Sequence, residues 1–372
     1  MKPIVTLIEN PAPLAIGKFR DPDVTAKGER RAEVAFGRLE TLWFNTGTLC
    51  NITCASCYIE SSPANDRLAY LTTAEMLGCL DEAEALGQRP TTVAFTGGEP
   101  FMNPDLPAMA DVALARGHEV LILTNAMRPM QRPRVQNALA ALNRRYGTRL
   151  CLRVSLDHWR PQLHDEERGA GSFVETVAGV HWLRDEGARI AIAARLRWGD
   201  TDDEMRAGFR ALFAAEGLAI DADDRRALVV FPEMDERADV AEITVDCWGL
   251  LDKRPQDLMC ASSRMIVKRK GAQRPVVVAC TLLPHAAGFD FGPNLADALG
   301  SVKLNHPHCA RFCVLGGGSC TARRFKAAAG WRRCAARCES RCAKRRCQAG
   351  LARARPVGSE SNNRRSTETS HP

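Results

Sequence analysis

Cys50, Cys54 and Cys57 stand with three and then two residues between them, directly after the apolar run Leu39 to Phe44. Residues 96–100 then read Thr-Gly-Gly-Glu-Pro. Three thiolates at this spacing can wrap one short loop around three irons of a four-iron cluster and leave the fourth iron without a protein ligand. An open metal position is a reaction site, because an exogenous ligand must fill it. A structural zinc site would call for a fourth Cys or His close by. The next cysteine, Cys79, falls inside a helix-like segment and is badly placed to close one.

Such a loop needs a rigid support, and the chain alternates strand-like and helix-like segments as a parallel α/β fold does. Strands are predicted over Leu39 to Asn45, Thr92 to Phe95, Glu119 to Leu123, Cys151 to Leu156, Arg189 to Ala194 and Ala227 to Phe231. Helices are predicted between them: from the Thr72-Thr73 cap to Leu86, from Asp105 to Gly117, from Arg134 to Tyr146, from Phe173 to Glu186 and from Asp202 to Glu216. The cysteine loop follows the first strand and Gly97-Gly98-Glu99-Pro100 the second. Asn125, Ser155, Asp157 and Arg195 lie at the ends of the third, fourth and fifth. All then fall at the C-terminal mouth, where barrel active sites form.

The cysteine spacing and the Gly-Gly-Glu-Pro segment together resemble the radical S-adenosylmethionine (SAM) superfamily. The resemblance implies a partial (β/α)6 TIM-like barrel, a [4Fe-4S] cluster held by Cys50, Cys54 and Cys57, and SAM chelating the open iron. Electron transfer to the sulfonium would release a 5′-deoxyadenosyl radical that takes hydrogen from substrate. It further implies that the Gly97 and Gly98 carbonyls and Glu99 face the methionine ammonium, with the glycines letting the backbone approach the cofactor and Pro100 stiffening the turn. Asn125, Ser155 and Asp157 would serve ribose hydroxyls or the carboxylate, and Arg195 would pair with the carboxylate. The family usually sets an aromatic before the third cysteine, against the adenine. Here that position is Ser56, and the aromatic, Tyr58, follows Cys57.

The segment Ser155 to Phe173 carries a Ser-Leu-Asp, His-Asp, Arg-Gly, Gly-Ser-Phe series similar to that of radical enzymes with a C-terminal cluster extension. It reads as a loop over the site, either bringing His158, His164 or Asp165 to substrate or serving as an ordered lid. Further on, Met265 to Lys268 and Val276 to Ala279 predict a β-hairpin that brings Cys260 and Cys280 together. With Cys309, Cys313 and Cys320 they resemble the SPASM extension or its shorter Twitch form, which implies one auxiliary [4Fe-4S] cluster. Four of the five suffice; Cys260, Cys280, Cys309 and Cys313 are the expected set, with Cys320 in reserve, and structural zinc is the alternative. Cys79, Cys151 and Cys247 read as small buried residues.

The domains expected are an N-terminal extension over 1–38, the barrel over 39–240, the auxiliary-cluster region over 241–325 and a basic Cys/Arg-rich tail over 326–372. The net charge of +7 misleads. Residues 322–372 hold 14 basic and 3 acidic side chains, whereas residues 1–321 hold 37 and 41. The body therefore lacks the basic excess of a nucleic-acid binder. No apolar run is long enough to span a membrane, and the first residues do not read as a signal peptide. A cytoplasmic enzyme is expected, served by a flavodoxin or ferredoxin as reductant and acting on a peptide or small molecule. The rival is a non-catalytic iron–sulfur carrier or scaffold, which would have no need of residues 97–100.

Overall fold

Every residue of the strand Thr41–Asn45 (β1) is buried, as a parallel strand covered on both faces requires. In the computed structural model, which describes residues 12–251 and 253–319, five further parallel strands follow β1. They are β2 (Thr92–Thr96), β3 (Glu119–Thr124), β4 (Leu150–Ser155), β5 (Arg189–Arg195) and β6 (Leu228–Phe231), each pairing with its predecessor. Helices α1 (Thr73–Ala85), α2 (Leu106–Ala115), α3 (Pro133–Tyr146), α4 (Pro161–Arg168), α5 (Ser172–Asp185) and α6 (Asp202–Ala215) fill the crossovers. All six predicted strands and all five predicted helices are present within two residues of their expected ends. The additions are α4, inside the segment read as a loop, and the short helices Arg128–Gln131 and Cys247–Leu251.

Side-chain alternation sorts the core into two layers. Leu42 and Phe44 join Val93, Phe95 and Ile122 against Met76, Leu80 and Met109 of the helices. Trp43, Ala94 and Leu121 point the other way, into the barrel, and meet Met265, Val267 and Phe312 of the C-terminal segment. Two helices start with a full capping box, Thr72 with Glu75 and Thr201 with Glu204. Each such cap stabilises its helix by about 0.5–2 kcal/mol.

The predicted hairpin forms between β7 (Ser263–Val267) and β8 (Val276–Val278). It does not stand apart. β7 runs parallel to β1 in register Thr41 with Ser263, so the sheet order is β6-β5-β4-β3-β2-β1-β7-β8. Residues 12–38 also pack on the C-terminal part: Arg31 pairs with Glu242 at 2.6 Å, both buried, and Glu33–Val34 pairs with Val302–Lys303. The barrel is therefore open at β6, with its β1 side occupied by the hairpin. Among the described residues no helix is long and apolar enough to cross a membrane.

Candidate active site

The sheet register fixes the cysteine loop. Asn45 at the end of β1 is opposite Thr96 at the end of β2. The ladder continues past both strands, with Gly98 N donating to Gly47 O at 2.9 Å and Glu99 N to Leu49 O at 3.1 Å. A Cβ on Gly97 would stand 2.6 Å from Gly47 O, and one on Gly98 would stand 2.2 Å from Leu49 O. These glycines make room for the stem of the cysteine loop, and both also line the cavity at the barrel mouth; Gly97 has φ +145°.

Glu99 also braces the turn from within the protein. Its carboxylate is buried and accepts from Thr124 Oγ1 at 2.9 Å, Asn125 N at 2.8 Å and Phe101 N at 3.1 Å. It ties the turn after β2 to the end of β3. Burial pushes its pKa up to about 7 despite these donors. Because the folded value is raised above the ordinary 4.5, the stability it contributes is present below that value and lost as the pH rises through about 7. A cation at Glu99, such as a ligand ammonium, would reverse the shift. Asn125 also turns inward to the loop, its Nδ2 donating to Asn51 Oδ1 at 2.8 Å and lying 4.0 Å from Cys50 Sγ.

Cys50, Cys54 and Cys57 line one cavity at the barrel mouth together with Tyr58, Gly97, Gly98, Pro100, Asn125, Ser155, Asp157 and Arg195. Of the expected site residues in this part of the chain, Glu99 alone lies behind the wall. The thiols are close enough to act on one another electrically, and burial drives Cys50 up to about 12 and Cys54 up to about 11. Buried, mutually opposed thiols are an unfavourable arrangement for bare sulfur and a natural one for a shared metal, which displaces the protons. The donor set thus fits a cluster with one side open to the cavity.

Asp157 and Arg195 are engaged by protein partners. Arg168, which sequence reasoning left without a role, grips Asp157 with Nε at 2.6 Å and Nη2 at 3.2 Å. Burial alone would raise the Asp157 carboxyl, but the Arg168 guanidinium outweighs it and holds the pKa below the usual range. The pair's stabilisation is therefore present above the ordinary carboxylate pKa and lost as the pH falls through the lowered value. Arg168→Met should strand a buried carboxylate and cost about 3–5 kcal/mol, seen as a lower urea midpoint at neutral pH. An unchanged midpoint would show that the pair contributes nothing. Arg195, which also lines the cavity, bonds Ser56 and Glu167.

The segment after β4 is an ordered lid. His158 is buried, its Nε2 3.3 Å from Asp200 Oδ2 and its Nδ1 accepting from Arg160 N at 2.9 Å. His164 Nδ1 accepts from Asp157 N at 3.1 Å. Asp165 accepts from Gly171 N, Ser172 Oγ and Phe173 N. None of the three lines the cavity.

In the C-terminal region Cys260, Cys280 and Cys309 come within electrical reach of one another, and burial raises the Cys309 thiol furthest. Cys313 follows on the same π-helical turn, Cys309–Leu315. Leu282 and Phe312, neighbours of Cys280 and Cys313, line the same cavity as Cys50, Cys54 and Cys57. Cys320 and the tail cysteines Cys334, Cys338, Cys342 and Cys347 lie outside the described residues. Cys79 and Cys151 are partly buried packing residues and Cys247 is buried, as expected.

Residues 44–207 match the family model described as "Radical SAM superfamily". They form a radical SAM domain. Over 145 residues the chain is 30% identical to the antilisterial bacteriocin subtilosin biosynthesis protein AlbA of Bacillus subtilis, covering 39% of this chain and 30% of that protein. Over 139 residues it is 32% identical to the AdoMet-dependent heme synthase of Methanosarcina barkeri, covering 36% of each. These alignments thus span only about a third of each relative's length. The crystal structure of Streptococcus suis SuiB bound to S-adenosylmethionine superposes with a TM-score of 0.51 at 12% identity, over 70% of this chain and 65% of that one. That likeness is one of fold. It agrees with an open, mostly parallel sheet carrying the radical SAM loop at its mouth.

Proposed function

We propose that the chain is a radical SAM enzyme that abstracts hydrogen from an unactivated carbon of a peptide or small-molecule substrate. The observation that carries this is the convergence of three thiols on the wall of one cavity whose remaining wall is built from strand ends. When bound, a [4Fe-4S] cluster and SAM supply the reductive cleavage that yields a 5′-deoxyadenosyl radical. Cys50, Cys54 and Cys57 would hold three irons. The Gly97 to Pro100 turn sets the loop stem, Glu99 and Asn125 brace it, and the lid from Ser155 to Phe173 excludes water. Tyr58, Ser155 and the exposed edges of Gly97 and Asn125 are the groups left to meet the cofactor. A flavodoxin or ferredoxin would supply the electron.

The relatives' names do not choose the substrate, since one protein serves bacteriocin biosynthesis and the other is a heme synthase. Cys260, Cys280, Cys309 and Cys313 are proposed to hold an auxiliary cluster beside the cavity, where it could take an electron from the substrate or bind it. Residues 241–325 would form that unit, although its hairpin shares the barrel sheet. The test is metal content after anaerobic reconstitution of the full chain. Two four-iron clusters mean about eight irons per chain. Replacing Cys50, Cys54 and Cys57 together should leave about half of them. A triple variant that holds zinc and no iron would remove the auxiliary cluster from the account.

A further inference from the structure

The two residues between Cys54 and Cys57 are held from outside the loop. Ala55 N donates to Glu167 O at 2.8 Å, and Ser56 N donates to Glu167 Oε1 at 3.0 Å. Ser56 Oγ lies 2.7 and 2.8 Å from the two carboxylate oxygens of Glu167. Arg195 Nη1 donates to Ser56 Oγ at 2.7 Å and to Glu167 Oε1 at 3.1 Å, and Arg197 Nε stands 3.4 Å from Glu167 Oε2. Glu233 closes the far side of both arginines, at 3.4 and 4.0 Å. Glu167 is 2% exposed and Arg195 7%. Two carboxylates and two guanidiniums thus balance, and one face of the set is the backbone of the cysteine loop.

Ser56 occupies the position where radical SAM proteins usually carry an aromatic. An aromatic hydrocarbon ring could not both donate to Glu167 and accept from Arg195 as the Ser56 hydroxyl does, and an alanine would leave the buried Glu167 oxygens short of a donor. The bidentate hold of Glu167 on the Ala55–Ser56 backbone also fixes the separation of the two flanking sulfurs, because only those two residues lie between them. Glu167 acts electrically on Cys54 as well, disfavouring negative charge on its sulfur.

We infer that Glu167 is a positioning residue for the cluster loop, coupled to Ser56 and oriented by Arg195. It lines the same cavity as the three cysteines, and the role assigned here is exerted through the backbone between Cys54 and Cys57. This rests on the reading of Cys50, Cys54 and Cys57 as cluster ligands. Removing its charge should favour the reduced, more negative cluster, so the reduction potential should rise. Loosening the loop should speed iron loss.

The full chain is reconstituted anaerobically, and the iron–sulfur signal absent from Cys54→Ala is followed by redox titration and by challenge with an iron chelator. Glu167→Gln should shift the potential to less negative values and release that iron roughly ten-fold faster, in line with the loss seen when groups supporting metal ligands are removed. Ser56→Ala leaves the Glu167 charge in place, so it should speed iron loss without raising the potential, and the double variant should lose iron no faster than Glu167→Gln alone, because the two residues share one interaction. Glu233→Gln touches the arginines but not the loop and should stay near wild type. Wild-type potential and wild-type iron loss in Glu167→Gln would overturn the inference, as would strict additivity with Ser56→Ala or equal effects in Glu233→Gln. Should Glu167→Gln fail to fold, Ser56→Ala, which deletes one hydroxyl, decides by the rate of iron loss, and a wild-type rate there would overturn the inference. A wild-type protein without that signal would instead overturn the ligand reading itself.

Discussion

Replacement of Cys54 by alanine is expected to abolish formation of 5′-deoxyadenosine from SAM. Cys54 is one of three thiols, one buried and two partly buried, that line the same cavity and oppose one another electrically. Arg168, paired with Asp157, lies close enough to favour negative charge on its sulfur. Removing one of three ligands leaves two, too few to hold a four-iron cluster with a single open iron. Cys50→Ala and Cys57→Ala should behave alike. Cys79→Ala is the matched control, since Cys79 packs against the helix layer and not the cavity. Product formed at the wild-type rate in any triad variant, or lost equally in Cys79→Ala, would contradict the assignment.

Gly98→Ala is expected to do nearly the same damage without touching a ligand. The added methyl would lie 2.2 Å from Leu49 O, 2.6 Å from Leu49 C and 2.7 Å from Thr48 O. These are backbone atoms, and the strand pairing of β1 with β2 keeps them from moving aside. Overpacking of this kind costs about 1–3 kcal/mol. It also displaces Cys50, the residue after Leu49. The variant should therefore bind about half the wild-type iron and unfold at lower denaturant, the fraction following from loss of one of two clusters. Gly78→Ala provides the contrast. Gly78 is exposed in the middle of α1 with nothing within 4 Å of a new Cβ, so the change should stabilise the protein by about 0.5–1 kcal/mol. Wild-type iron in Gly98→Ala would show that the loop stem is not set by this contact.

The strands and helices were readable because their apolar spacing is regular and their caps are local, as with Thr72 and Glu75. The cysteine loop and the Gly-Gly-Glu-Pro turn were readable for the same reason: each is a contiguous motif. What those residues touch was not. Gly97 and Gly98 meet the backbone of Gly47 and Leu49, a contact created by strand register. Asp157 and Arg195 line the cavity, but their ion pairs with Arg168 and Glu167 come from a helix hidden in a segment of loop-like composition. The Ser56–Glu167 bond spans 111 residues, and no local pattern announces it. The hairpin was legible from its alternation and turn, but its place beside β1 depends on a register between Thr41 and Ser263 that only folding supplies.

Anaerobic reconstitution of the full chain with iron and sulfide, followed by reductant and SAM, tests the central claim most directly. The products are read by chromatography. The account predicts 5′-deoxyadenosine and methionine in equal amounts, formed only with reductant present and absent when the Cys50–Cys54–Cys57 set is replaced. A protein that takes up its full iron, is reduced, and leaves SAM intact would contradict it, and would place the chain among electron carriers instead.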